Sequence, residues 1–204
     1  QSTSRRQRQM CIRDSLRLKE TVAARDHFSA AATIDGSGDN LSESILMRLA
    51  ETRALTGQHE EAAKSYGDFL ARFPKSQWTR NARFGLAFAM ENAGNSEGAL
   101  VEYAKLLSAE TVDLWTVRSR FQTGECYFNL QQYDKAVTEF VSVEITYKKY
   151  PAWQAKAILE IGRVLLAQKK NEQAAERFKE VIRRYESEKA AVVARQYLDE
   201  LRAK

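Results

Sequence analysis

The sequence predicts an all-α fold: a right-handed α-solenoid of helix-turn-helix repeats with a period of 37–38 residues. Three observations predict it. An alanine followed four residues later by an aromatic ring recurs at Ala24/Phe28, Ala62/Tyr66, Ala99/Tyr103, Ala136/Phe140 and Ala174/Phe178. Two further series keep the same beat: small residues at Ala50, Ala87, Gly124 and Gly162, and tryptophans at Trp78, Trp115 and Trp153. The 204 residues are 44% hydrophobic with only two prolines and nine glycines, enough for a core and too poor in helix breakers for an all-β chain. A period sustained in this way marks one supersecondary unit copied in tandem, and such units bury their apolar faces by stacking on one another.

The elements follow in order. Residues 1–15 lack the downstream periodicity, and the stretch from Arg5 to Ser15 resembles translated adapter read-through at the end of a gene fragment. They are expected to be a non-native or disordered leader, with the natural amino terminus missing. Residues 16–33, with Ala24 and Phe28, read as an orphan second helix, and Asp35 to Asn40 as a Gly/Ser/Asp connector.

Four hairpin repeats then span residues 42–187. Their first helices are expected at 42–55, 78–93, 112–130 and 152–168, and their second helices at 59–72, 96–108, 133–149 and 171–187. Gly57 and Gly94, joined at the same phase by Gln131 and Lys169, mark left-handed turns between the paired helices. Pro74 and Pro151, which lack an amide hydrogen, are expected to end second helices. Residues 189–203, with Tyr197, Leu198 and Leu201, read as a C-terminal capping helix, so that 16–203 form the solenoid.

Small then large is the packing logic of the repeat. The alanine at the start of each second helix admits a close neighbour, and the ring one turn later is expected to fill the space between neighbouring hairpins.

The net charge of +5 invites a nucleic-acid reading. Arg5, Arg6, Arg8 and Arg13 against Asp14 place three of those charges in the leader, and +2 over the remaining residues argues for no phosphate-binding face. No apolar run approaches the roughly 20 residues of a membrane span.

Catalytic chemistry finds no constellation, and no cofactor is implied. His27 and His59 stand in different repeats outside any metal-ligand spacing and read as solvated helix residues. Gly36-Ser37-Gly38 lacks the frame of a nucleophile elbow, and Leu41 stands where a dinucleotide loop needs its third glycine. Glu60 and Glu61 point different ways on a helix, and Cys11 and Cys126 form no disulfide framework.

The residues resemble the tetratricopeptide repeat family. Its pattern of a small residue, a ring three later, then Ala-x3-Phe is matched by Gly124, Tyr127, Ala136 and Phe140, and more loosely by Gly162, Leu165, Ala174 and Phe178. Ala50, Ala62, Tyr66 and Pro74 fit as well, with Arg53 in place of a ring. The period is longer than the family's usual value of about 34 residues by about one helical turn. The run from Tyr66 to Ser76 followed by Ala82 to Ala87 is similar to repeats of bacterial envelope proteins, the Tol-Pal periplasmic coordinator and the lipoprotein of outer-membrane barrel assembly. That likeness points to the periplasm or the outer membrane.

The resemblance implies a concave groove lined by first helices in which a partner peptide or helix lies. The layer Met47, Phe84, Phe121 and Leu159 is uniformly apolar and reads as packing between first helices. The next layer, Glu51, Phe88, Glu125 and Arg163, is chemically mixed and reads as groove surface. Asn92 and Asn129 are backbone hydrogen bonders toward a peptide or helix-end caps; Arg118 and Lys156 face an acidic partner or solvent. Met47 and Glu51 stand where the family's carboxylate-binding members carry Lys and Asn, which argues against recognition of a carboxyl terminus.

The function read from these residues is a non-catalytic protein-protein interaction scaffold, set in a bacterial cell-envelope assembly. The alternatives are a regulatory or docking fragment of a larger multidomain protein, which the orphan helix suggests, and a helical-repeat RNA binder, which the net charge alone suggests.

Overall fold

A computed structural model describes residues 19–31, 39–109 and 112–203. Every regular element among the described residues is an α-helix: α1 (residues 19–31), α2 (Asp39–Leu55), α3 (His59–Arg72), α4 (Thr79–Asn92), α5 (Ser96–Leu107), α6 (Leu114–Asn129), α7 (Tyr133–Thr146), α8 (Pro151–Ala167), α9 (Asn171–Arg184) and α10 (Lys189–Arg202). The chain divides into two compact units between Asn95 and Ser96, the first holding α1–α4 and the second α5–α10. The fold is all-α and built from helical repeats. The expected leader lies outside the described residues, as do 16–18 and 32–33 of the expected first helix. Asp39 and Asn40, expected in the connector, instead open α2.

The turns form where the sequence places them. Gly57, Gly94, Gln131 and Lys169 have φ of 79°, 85°, 58° and 62°. In each turn the next amide reaches back to close a Schellman motif: Gln58 N to Arg53 O, Asn95 N to Met90 O, Gln132 N to Tyr127 O and Lys170 N to Leu165 O, at 2.8–2.9 Å. Glycine adopts this conformation without strain, whereas Gln131 and Lys169 carry a Cβ against the carbonyl that follows.

One proline behaves differently from its expectation. Pro74 stands two residues beyond the end of α3, after the C-cap Phe73, whereas Pro151 ends nothing: α7 stops at Thr146, and Pro151 is the first residue of α8. A first-turn residue has no intrahelical acceptor for its amide, and the fixed φ of proline suits the position. The expected extensions of α7 to 149 and α9 to 187 are likewise shorter, because Tyr147 (φ −101°, ψ 55°) and Tyr185 (φ −136°, ψ 45°) leave helical geometry.

The repeating pairs are the core. Ala62, Ala99, Ala136 and Ala174 are fully buried and their rings nearly so, while Ala24 and Phe28 on α1 are half-buried. In the first unit Met47, Ala50, Ala62, Tyr66, Phe69 and Leu86 form one cluster; in the second, Phe140 packs with Phe121, Ala157 and Ile161, and Phe178 with Leu159, Ala190 and Leu198. Each such ring contributes roughly 1.5–3 kcal/mol of apolar burial. Trp78, Trp115 and Trp153 are all half-buried at the starts of first helices.

The rings do more than fill space between hairpins. A Cβ placed on Gly124 would lie 2.6 Å from the Phe140 ring, and one on Gly162 2.4 Å from the Phe178 ring, so each ring presses on the first helix of its own hairpin. In the first hairpin Ala50 takes that phase, and the Tyr66 ring lies against Gly85 of α4 instead, 2.4 Å from where its Cβ would be. Arg53, standing in place of the family's ring, donates to Ser65 Oγ on α3, and Ser65 donates in turn to Glu61 O.

Two predictions follow from these positions. Gly162→Ala should destabilise by about 1–3 kcal/mol because the Phe178 ring must move, whereas Gly67→Ala on α3, where a Cβ meets nothing, should stabilise by about 0.5–1 kcal/mol. Urea unfolding followed by far-ultraviolet circular dichroism measures both. Lys169→Gly should raise the melting temperature, by relief of up to about 1 kcal/mol of left-handed strain, and Gly94→Ala should lower it.

Candidate functional site

The first unit presents the groove layer on α2 and α4. Glu51 is paired within its own helix by Arg48, at 2.6 Å; burial, and after it the Glu51 charge, raises the Tyr66 hydroxyl above the ordinary tyrosine range. Phe88 is 41% exposed, a large exposure for a ring, and stacks on buried Phe84 at 6.0 Å. Asn92 donates from Nδ2 to Phe88 O at 2.7 Å, so its side chain serves the end of α4. Met47 and Phe84 are buried, as the apolar layer requires.

The second unit brings two layer residues together. Arg163 on α8 reaches Glu125 on α6 at 4.0 Å and pairs closely with Glu160 one turn before it. Its guanidinium also lies 5.4 Å from the centre of the Phe128 ring. Asn129 is exposed at the end of α6. Two cations sit on the tryptophans that open the first helices, Arg118 at 4.8 Å over Trp115 and Lys156 at 4.3 Å over Trp153. Burial holds Arg118 below the ordinary guanidinium value.

Burial, followed by the nearby Glu125 charge, pushes the Glu160 carboxyl up to about 8; burial also raises Glu125, against the pull of Arg163. Glu125 Oε1 is buried with no amide or hydroxyl donor in reach. Burial favours a proton on the Glu125–Glu160 pair, and the carboxyl that keeps it donates to the other.

A cavity of about 420 Å³ opens beside this cluster, lined from α6, α8 and α10. Phe121, Leu159, Ala190, Val193 and Tyr197 give it an apolar wall, with Lys156 and Lys189 as cations. Glu160, Lys189 and Val193 are not among the residues expected from the sequence to form the site. Glu160 was legible as the residue one turn before Arg163 on the same helix face; the approach of α10 to α6 and α8 leaves no local signal. Among the described residues no cluster of His, Cys, Asp or Glu could hold a metal ion, and no helix is long and apolar enough to cross a membrane. His27 is exposed, and His59 is half-buried at the start of α3 rather than fully solvated.

The tetratricopeptide repeat profile matches residues 45–76, 118–143 and 156–187, the helix pairs α2–α3, α6–α7 and α8–α9. Those three segments are similar to tetratricopeptide repeats. Comparison with curated protein sequences gives no match. Among solved structures the fold is similar to the apo form of RapI, at a TM-score of 0.71 and 17% identity over 85% of this chain and 51% of RapI, so the chain spans about half of that protein. It is similar to MamA (TM-score 0.63, 20% identity, 87% of this chain and 90% of MamA). It is also similar to YrrB, described as a repeat protein with an unusual peptide-binding site (TM-score 0.61, 17% identity, 88% of this chain and 85% of YrrB). Nothing in these likenesses favours the Tol-Pal or outer-membrane lipoprotein type over other tetratricopeptide repeats.

The coupled carboxyls make stability depend on pH. Glu160 is protonated in the folded chain up to about pH 8 but ionises at its ordinary value once unfolded, so its contribution is whole below that ordinary value and is lost as pH rises through about 8. Glu160→Gln should therefore melt higher than the parent at about pH 9 and nearly level with it at about pH 4, in scans by differential calorimetry.

Proposed function

We propose that this chain is a non-catalytic protein-interaction scaffold built of tetratricopeptide repeats, whose first helices hold a peptide or helix of a partner. The observation that carries the reading is the exposed, mixed character of the first-helix faces. Phe88 stands out on α4, and the Glu125–Arg163 pair joins α6 to α8 beside an open apolar cavity. A ring on a solvated face costs apolar hydration that a partner removes, while charges beside it set orientation and reject wrong partners. The peptide-binding site named for YrrB supports the same reading by likeness of fold. Placement in a bacterial cell-envelope assembly rests on the resemblance of residues 66–87 to envelope repeats.

Glu51, Phe88, Asn92, Arg118, Glu125, Asn129 and Arg163 are the partner-facing residues under this reading. Glu51 and Asn92 act through their own helices and are expected to matter least, since each already satisfies a neighbour.

A random peptide library displayed on phage and selected on the chain tests the scaffold reading. Selected peptides should lose about tenfold in affinity on Phe88→Ala or Arg163→Gln and be indifferent to Lys64→Glu on the exposed face of α3. Selection of no peptide, or equal loss in all three variants, would reject it.

A further inference from the structure

The cavity between α6, α8 and α10 has a chemical polarity of its own. One wall is apolar, with Phe121 and Leu159 buried, the Tyr197 ring stacked on Phe178 at 4.9 Å, and Val193 36% exposed toward solvent. At its far end Arg163 is held between Glu125 and Glu160. Lys156 from α8 and Lys189 from α10 line the same cavity, both exposed, and neither makes an ion pair with any described residue. The charges of the cavity without an ion-pair partner among the described residues are thus those of two lysines on different helices.

The start of α10 adds to this preference. Lys189 and Ala190 are its first two residues, and Glu188 at the N-cap makes no side-chain cap hydrogen bond. The unsatisfied amides of a helix N-terminus favour a negative group, here beside Lys189. The volume of about 420 Å³ admits one large side chain and the polar group of its neighbour.

We propose that this cavity takes an acidic, apolar segment of a partner protein, seating one aliphatic or aromatic side chain on Phe121, Leu159, Val193 and Tyr197 and placing a neighbouring Asp or Glu between Lys156 and Lys189. The proposal rests on the scaffold reading and names the partner's chemistry. The carboxylate is a side chain within the segment, so a blocked carboxyl terminus does not matter. The Lys156 ammonium lies over the Trp153 ring at 4.3 Å, a contact that limits the conformations it must give up on binding.

Fluorescence anisotropy with short end-blocked peptides tests it. One pool carries Leu-Glu and Phe-Asp pairs, and a matched pool carries Lys in place of each acid. The acidic pool should bind and the basic pool should not, with affinity falling as salt rises. The double variant Lys156→Glu/Lys189→Glu should lose about tenfold or more for the acidic pool and keep an unchanged circular dichroism spectrum, both side chains being exposed. Val193→Asp should weaken binding as well. Equal binding of the two pools, no binding of the acidic pool, or an unchanged affinity in the double variant would overturn the proposal. Library peptides that bind through Phe88 while the acidic pool fails would leave the scaffold reading intact and remove only this one. Tight binding of a free-ended acidic peptide lost on end-blocking would likewise overturn it, in favour of a terminal carboxylate.

Discussion

The contact of an aromatic ring with a residue too small to hold it off is the constraint on which the rest of this molecule depends. Phe140 on Gly124 and Phe178 on Gly162 leave no room for even a methyl group, and the alanine one turn before each ring is wholly buried. A close approach of this kind fixes the distance between paired helices and also the rotation of each about its axis. With both fixed, the flanking residues of the first helices are committed: Phe121 and Leu159, three residues before the glycines, are buried, and Glu125 and Arg163, directly after them, face one another. The candidate site is thus a consequence of core geometry, one residue removed from it.

That dependence explains what could be read from the chain alone. Helix packing repeats, so it writes a periodic mark, and phase sufficed to find the turns at Gly57, Gly94, Gln131 and Lys169 and the layer that pairs Glu125 with Arg163. Phase fails where a position departs from the average of its series. Ala50 occupies the phase of Gly124, yet the Tyr66 ring finds Gly85 on the following helix; Pro151 follows a second helix, as Pro74 does, yet begins α8. Both are choices between local alternatives that a period cannot distinguish. Lys189 and Val193 were illegible for a different reason, because α10 lies outside the repeat and its approach to α6 and α8 is purely tertiary.

Electrostatics in the second unit follows the same division between structural and available charge. Glu144, 12% exposed on α7, accepts from Arg184 on α9 at 2.9 Å, and Arg120 on α6 donates to Glu139 on α7 at 2.9 Å. These pairs join second helices to their neighbours and are consumed by the fold. Their energetic value is modest, as expected for partly solvated ion pairs.

Glu125, Glu160 and Arg163 sit between the two categories. Two carboxyls and one guanidinium in partial burial are stable only if one carboxyl keeps its proton, and the raised Glu160 does so. The proton turns what would be a repulsive acidic pair into a hydrogen-bonded one and leaves the cluster without net charge. A neutral polar floor imposes no sign on a ligand, so selectivity passes to the groups at the mouth of the cavity. The fold therefore keeps its internal charges in balance at the depth where imbalance is costly, and displays the unbalanced ones, Lys156 and Lys189, at the surface, where a partner can neutralise them.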